Sequence, residues 1–248
     1  MTSQDKYVFA IAASDEVPDL GDLSSFDGHP LEVESRASLS AILARAPKGR
    51  LRPRRSHLRI HHRVIDRVAQ QGGSVLPFSF GTMAPPEELM SFLEEHQERL
   101  TERIELVRGC VETTIKVGAK EGQFYEFMIA SDGELAAYRD RIYGPSGGSP
   151  TRDEKIELGQ RVEAAREALS QRFEAELTRE LGEVSRNHEH LGAKGEEQLA
   201  QTVFLVETRA KDDFEARLEA VAAEWPEALV VNLSPYLAPY HFANLEVS

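Results

Sequence analysis

The stretch Ser74-Val-Leu-Pro-Phe-Ser-Phe80 decides the fold class, because it is a short apolar run placed between two helical patterns. A run of this length, bounded by turn residues, is typical of a buried strand. Pro77 has no N–H group to donate to a strand ladder, so we expect this strand at the edge of a sheet or at a bulge. A strand with a helix on each side indicates a fold that mixes helices and sheets.

Two amphipathic patterns flank this strand. Before it, Ser56 can cap a helix that runs to about Gln71 and ends at the glycines that follow. The inner stripe of this helix is predicted to contain Leu58, His61 or His62, Ile65, and Val68 or Ala69. After the strand, Pro85 and Pro86 open one long helix whose apolar residues recur every three, four or seven positions as far as Gly109.

The outer parts of the chain supply further elements. Residues 153–187 form the clearest helical pattern, with charged residues on the other faces and one apolar face that contains Val162, Leu169, Phe173, Leu177, Leu181 and Val184. Helices are also predicted at residues 37–46, 131–143 and 212–225. Strands or extended segments are predicted at residues 7–13, 31–34, 111–117, 203–206, 228–231 and 240–247, and residues 124–129 are predicted as a hairpin partner of 111–117.

Strands and helices alternate too irregularly in this order for a doubly wound parallel sheet. The pattern instead predicts an α+β protein of two domains, residues 1–108 and 109–248. We expect each domain to be a small, mainly antiparallel sheet with helices, ferredoxin-like in character. The long charged helix of about residues 153–187 belongs to the second domain.

Composition indicates a globular protein in a reducing compartment. Of the 248 residues, 41% are hydrophobic and 29% are charged, which is enough apolar material for a core. Cys110 is the single cysteine, so no internal disulfide can form. No apolar run approaches the length of a membrane span, and the first residues do not resemble a secretory signal. We therefore expect a cytoplasmic protein that has no membrane partner.

Charge is distributed unevenly along the chain. The net charge is -13, yet residues 45–67 hold nine Arg or Lys residues and one acid, Asp66, which leaves -21 for the remainder. This basic segment contains no aromatic residue to stack on a base. It is therefore interpreted as a solvated surface or as a dock for an acidic partner or the protein's own acidic helix. An RNA-binding adaptor that uses residues 45–67 is the alternative.

The strand around Pro77 resembles the Leu-Pro-x-x-Phe-Gly-Thr signature of the gas vesicle protein F/L family. The positions that carry this resemblance are Leu76, Pro77, Phe80, Gly81 and Thr82.

Further matches follow in the order of the family. His62 and Val64 stand where the family has a histidine and a valine in the preceding helix, and Glu112 and Lys116 match a Gly-x-x-Glu-x-x-x-Lys-Val strand. The terminal element of the family is matched by Pro235, Pro239, Tyr240 and Phe242. Residues 156–159, 204–207 and 214 resemble the family's long helix and its late strand and helix. The chain departs from the pattern at Ser79, Ser234 and Ala238, which stand for Arg, Gly and Pro.

The resemblance implies an accessory protein that binds the small hydrophobic shell protein, or other assembly proteins, while a gas vesicle forms. It also implies a location at the gas vesicle, since members of the family have been placed on the shell. The shell protein is apolar, so we expect an apolar groove or a sheet edge as the contact surface. The matched positions are expected to be structural or to contact a partner.

The residues themselves indicate no enzyme. We find no G-x-S-x-G, P-loop or dinucleotide-binding motif, and nothing marks Cys110 as an activated thiol. His57 and His61 are four residues apart, but arginines surround them and no acid completes a metal-binding motif. His188 and His190 have no third ligand in view. We therefore expect no catalytic residue, no cofactor and no metal.

Overall fold

The computed structural model describes residues 5–47, 49, 51–71, 73–144, 149–195 and 197–243. The chain forms two compact units. The first unit consists of Met1–Glu112, Leu205–Arg209 and Tyr236–Ser248, and the second of Thr113–Phe204 and Ala210–Pro235. The division into domains at residues 108 and 109 stays a prediction.

The first unit contains one sheet and three helices among its described residues. In chain order the elements are β1 (Lys6–Ala13), β2 (Glu32–Arg36), β3 (Leu39–Arg45), α1 (Arg55–Gln70), β4 (Val75–Pro77), β5 (Met83–Ala84), α2 (Pro86–Glu95) and α3 (Gln97–Val107).

Strand β1 lies at the centre of this sheet. The strand order is β2-β3-β1-β4, and β5 also pairs with β1. The pairings of β1 with β3, β4 and β5, and of β2 with β3, are antiparallel, with Ala10 opposite Pro77 and Ile11 opposite Leu76 in the ladder of β1 and β4. Because β4 is the last strand in this order, Pro77 lies at a sheet edge, as its missing N–H predicted.

Helix α1 covers the sheet through most of the stripe that its sequence predicted; Val64 also belongs to the buried face, whereas Leu58 is not buried and lines the outer groove. His61, Val64, Ile65, Val68 and Ala69 are buried on it. The four apolar residues among them join one hydrophobic cluster with residues of β1, β3 and β4, including Tyr7, Phe9, Ala12, Ile42 and Val75. Ser56 does not cap this helix, since the cap position is Arg54 and no side chain there bonds to the backbone.

Two predictions for the first unit are wrong. Residues 37–46 do not form a helix: Leu39–Arg45 is strand β3, which pairs with both β1 and β2. A tight turn in which Ala37 has a φ of 52° joins β2 to β3, so the two strands form a hairpin. The burial of β3 between β1 and β2 outweighs the helix propensity of its alanines. The long helix after Pro86 is two helices, which meet at His96.

The second unit carries the other sheet. Its elements are β6 (Cys110–Ala119), α4 (Phe124–Ser131), α5 (Gly133–Tyr143), α6 (Arg152–Leu181), β7 (Asn187–His190), β8 (Gln198–Glu207), α7 (Lys211–Ala223) and β9 (Leu229–Leu233), and the ends of β6 and β8 belong to the first unit. The strand order is β7-β8-β6-β9. Along the chain, β6 is followed by helices α4 to α6, then by β7 and β8, and then by α7 and β9. This order gives the ferredoxin-like arrangement that was predicted.

Helix α6 has the predicted phase at Leu169, Phe173, Leu177 and Leu181, which are buried. It ends at Leu181 and not near residue 187, and Val162 and Val184 are not buried. Thr151 and Glu154 form a capping box at its first turn. Of the described residues, none belongs to a helix that is both long and apolar enough to cross a membrane.

Three predictions for the remaining elements are wrong. Residues 124–129 belong to helix α4 and not to a hairpin, because Phe124, Phe127 and Met128 are buried at helical spacing. The short strand β7 was missed, since its four residues are polar. Residues 240–243 form turns where an extended segment was predicted, and residues 244–247 lie outside the described part of the chain.

Candidate functional site in the first unit

The structure gathers all but one of the predicted site residues in the first unit. Leu76 and Pro77 lie in β4, and Phe80, Gly81 and Thr82 lie in the loop after it. The other site residues of this unit are His62 on α1, Glu112 on β6, and Pro239, Tyr240 and Phe242 in the C-terminal segment, defined as residues 236–243. Lys116 is exposed on the part of β6 that belongs to the second unit.

A chain of hydrogen bonds fastens the loop after β4. The Gly81 N–H donates to Tyr7 Oη at 3.1 Å, and Tyr7 Oη lies 2.9 Å from His61 Nδ1. His61 Nε2 lies 3.1 Å from the carbonyl oxygen of Phe78, which can only accept. His61 therefore carries its proton on Nε2, and the Tyr7 hydroxyl donates to Nδ1.

Burial shifts the pKa values of both titratable side chains in this chain of hydrogen bonds, His61 and Tyr7. Burial lowers the pKa of His61 to about 4, and the neighbouring His62 contributes to the lowering. Burial also raises the pKa of Tyr7 to about 12. The imidazole and the phenol are thus both neutral near pH 7, and both nitrogens of His61 are used in bonds within the protein.

The loop itself is closed by its own backbone. Thr82 donates its N–H at 3.2 Å and its Oγ1 hydroxyl at 2.8 Å to the Ser79 carbonyl. Gly81 has a φ of 95°, a left-handed conformation that favours glycine at this turn. Leu76 is buried, and the Phe80 ring meets the rings of Tyr7 and His61 edge-on.

Glu112 holds the C-terminal segment by its backbone and by its side chain. The Glu112 N–H donates to the Leu237 carbonyl at 2.8 Å, and the Leu237 N–H donates to the Glu112 carbonyl at 2.9 Å. The carboxylate accepts the His241 N–H at 2.8 Å and also bonds to the Phe242 N–H. Burial raises the pKa of Glu112, and the two N–H donors oppose this rise.

Helix α1 holds the same segment from a second side. The Tyr240 hydroxyl lies 3.1 Å from His62 Nδ1, and Asp66 bonds to the Ala238 N–H. Burial is the main cause that raises the pKa of Asp66 and the pKa of Tyr240. Ala238, Pro239 and Phe242 are buried, so the segment is packed into the first unit as well as bonded to it.

These contacts hold the loop after β4 and the C-terminal segment in place. The polar atoms of His61, Glu112 and Tyr7 are directed to backbone groups or to each other. Within the described residues, no group of three or more His, Cys, Asp or Glu side chains is placed to share a metal ion.

The outer face of α1 has a different character. Arg55, Arg59 and Arg63 are exposed there at intervals of four residues. They line an open groove of about 690 Å³, together with Leu58, His62, Asp66, Arg67 and Gln70. Arg67 is bound to Asp22 by two hydrogen bonds of 2.7 and 2.8 Å.

Sequence reasoning missed three members of these contacts, namely Tyr7, Phe78 and Asp66. Two signals were present: Tyr7 is a hydroxyl in an otherwise apolar strand, and Asp66 is the single acid among nine basic residues. Phe78 contributes only its carbonyl oxygen, so its side chain gave no signal.

Comparison with known proteins places these features in a family. The family described as "Gas vesicle synthesis protein GvpL/GvpF" matches residues 5–244. A Gas vesicle protein F from Streptomyces sp. (strain CB03234) is 30% identical over 245 residues, which cover 96% of this chain and 99% of that protein. A Gas vesicle protein F from Microcystis aeruginosa (strain PCC 7806) is 22% identical over 236 residues, with coverages of 92% and 94%.

Two crystal structures share the fold. GvpF from Microcystis aeruginosa has a TM-score of 0.79 at 21% identity, over 98% of this chain and 100% of that chain. GvpF from Anabaena sp. PCC7120 has a TM-score of 0.83 at 19% identity, over 98% and 99%. At 21% and 19% identity these two structures show a shared fold alone. The family model, in contrast, matches the sequence over residues 5–244. The chain therefore belongs to the gas vesicle synthesis protein GvpL/GvpF family.

Proposed function

We propose that this chain is a non-enzymatic accessory protein that binds the gas vesicle shell protein, or another vesicle protein, during assembly in the cytoplasm. Membership of a gas vesicle synthesis family, over residues 5–244, carries this proposal. Stable association with the finished shell is part of the proposal.

The geometry supports a binding role in one further respect. The motif residues of the first unit are engaged in fastening a loop and the C-terminal segment. Such contacts give a fixed surface, and a fixed surface reduces the conformational entropy that is lost when a partner binds. The motif positions are therefore proposed to act by shaping the surface.

Deletion of the gene, with complementation, tests the role in assembly. We expect the deletion to lower or abolish vesicle formation, measured by electron microscopy and by pressure-sensitive light scattering. A plasmid copy of the chain should restore it. Normal vesicles in the deleted strain would contradict the proposal.

Co-purification tests the binding. A tagged chain, isolated from vesicle-forming cells, should retain the shell protein or another vesicle protein, identified by mass spectrometry. Cells that lack the vesicle genes supply the control for non-specific capture. Capture of no vesicle protein, at low or at high salt, would refute the binding role.

A further inference from the structure

The outer face of α1 is an arginine surface, and Arg63 adds to the positive potential at Asp22, which Arg67 already binds. Arg55, Arg59 and Arg63 are exposed. No ion pair in the described part of the chain involves any of the three, whereas Arg67, one turn further on, is paired with Asp22. The three guanidinium groups therefore remain available to a ligand.

The spacing of these arginines defines what they can bind. Residues four positions apart on a helix lie about 6 Å apart along its axis, so the three span about 12 Å. Each guanidinium can hold a carboxylate by two parallel hydrogen bonds. A matching ligand carries negative groups at about the same interval, as one face of an acidic helix does.

The surroundings of the arginines favour a protein segment over nucleic acid. Leu58 lies in the same groove and offers an apolar contact, and among the described residues no Phe, Tyr or Trp lines the groove to stack on a base. The Asp66 side chain also lines this groove. The remainder of the chain, with a net charge of -21, repels a long polyanion.

We propose that Arg55, Arg59 and Arg63 on α1 form a docking surface for an acidic helical segment of another gas vesicle protein. The inference rests on the proposed function, because it takes the acidic segment to belong to a vesicle protein. It adds the surface and the chemistry of the partner. Single exposed ion pairs contribute little, so the three arginines act together and the contact depends on salt.

A matched pair of triple variants tests this surface. The first variant changes Arg55, Arg59 and Arg63 to Gln. The control changes Arg103, Arg152 and Arg172 to Gln; these are also exposed, lie outside α1 and alter the net charge by the same amount. Arg and Gln are both good helix formers, so both variants should fold, which circular dichroism and thermal unfolding would verify.

The readout is the amount of identified vesicle protein that co-purifies with each tagged chain. We expect the α1 variant to retain about a tenth or less of the wild-type amount, and the control variant to retain it fully. Raising NaCl from roughly 0.1 to 0.5 M should release the partner from the wild-type chain, since it shortens the screening length well below 10 Å.

The other outcomes are distinct. Equal capture by both variants, or capture that persists at high salt, overturns the docking surface but leaves the proposed function intact. Capture of no vesicle protein by the wild-type chain refutes the proposed function itself.

Two measurements on the purified chain identify other occupants of the surface. Binding of a 20-nucleotide oligouridylate that the α1 variant loses, followed by fluorescence anisotropy, would overturn the proposal in favour of RNA. Self-association that the α1 variant loses, followed by analytical ultracentrifugation, would replace the vesicle protein with a second copy of this chain.

Discussion

At the scale of single residues, the motif of the first unit acts through hydrogen bonds to backbone. Tyr7 and His61 together hold the Gly81 N–H and the Phe78 carbonyl, and Glu112 holds the N–H groups of two residues near the C-terminus. A buried polar group without a partner costs more than a hydrogen bond contributes. Loss of one side chain from these contacts should therefore lower the free energy of unfolding.

The neutral state of His61 predicts a dependence of stability on pH. Its pKa falls from 6.5 to about 4 on folding, so the unfolded chain binds more protons between these values. The stability that His61 contributes is present above pH 6.5 and is lost as pH falls towards 4, by roughly 3 kcal/mol.

The variant His61→Gln isolates this effect. The difference in unfolding free energy between wild type and variant, measured by urea titration, should shrink by that amount between pH 7 and pH 4. A constant difference for His61→Gln would refute a neutral, buried imidazole.

Gly81 predicts a second residue-level effect. Its φ of 95° suits glycine, while space around it is open, so Gly81→Ala should be destabilised by backbone strain alone, by about 1–2 kcal/mol. Gly159→Ala in helix α6 should instead gain up to about 1 kcal/mol. Chemical denaturation of both variants checks the signs, and equal effects would contradict the assigned turn.

At the scale of elements, periodicity predicted the helices well and the short strands poorly. Helices α1, α6 and α7 have one apolar stripe each, which the sequence displays directly. Strand β3 and helix α4 are short apolar runs, for which periodicity does not decide between helix and strand. Their states depend on the hairpin turn at Ala37 and on tertiary burial.

The candidate site was also only partly predictable from the sequence. The family motif identified the positions that lie in the first unit, but it could not show that Tyr240 meets His62, since 178 residues separate them. Asp66 and Tyr7 lie outside the matched positions, so their contacts appear only in the folded chain.

Helix α6 predicts a large effect at its buried stripe. Leu177 is fully buried, so Leu177→Ala should cost about 2–5 kcal/mol through lost contacts and a residual cavity. Ile156 lies on the same helix but is half exposed, and Ile156→Ala should change stability by no more than about 0.5 kcal/mol. Urea titration of both variants compares them, and a cost below 1 kcal/mol for Leu177→Ala would contradict the assigned face.

The C-terminal segment predicts a smaller effect. Tyr240→Phe removes the hydroxyl that bonds to His62 and should cost about 0.5–1.5 kcal/mol of unfolding free energy. Tyr125 is largely exposed, so Tyr125→Phe serves as the control and should be neutral. Hydrogen exchange at the Ala238 and His241 amides should be faster in Tyr240→Phe, and unchanged exchange would argue against a fastened segment.

At the scale of the whole molecule, the chain belongs to a family of gas vesicle synthesis proteins, in which we propose a binding role for it. Its acidic remainder and the arginine face of α1 make long-range electrostatics important for the choice of partner. Interaction strength should accordingly fall as salt rises.

The most direct test is a pairwise binding assay between the purified chain and each protein of the gas vesicle gene cluster, the shell protein included. We expect saturable, stoichiometric binding to at least one of them at about 0.1 M NaCl, and weaker binding when Arg55, Arg59 and Arg63 are replaced by Gln. Deletion of the gene in the cell should abolish vesicles. If it does so, but the purified chain binds none of the vesicle proteins, a binding role is contradicted.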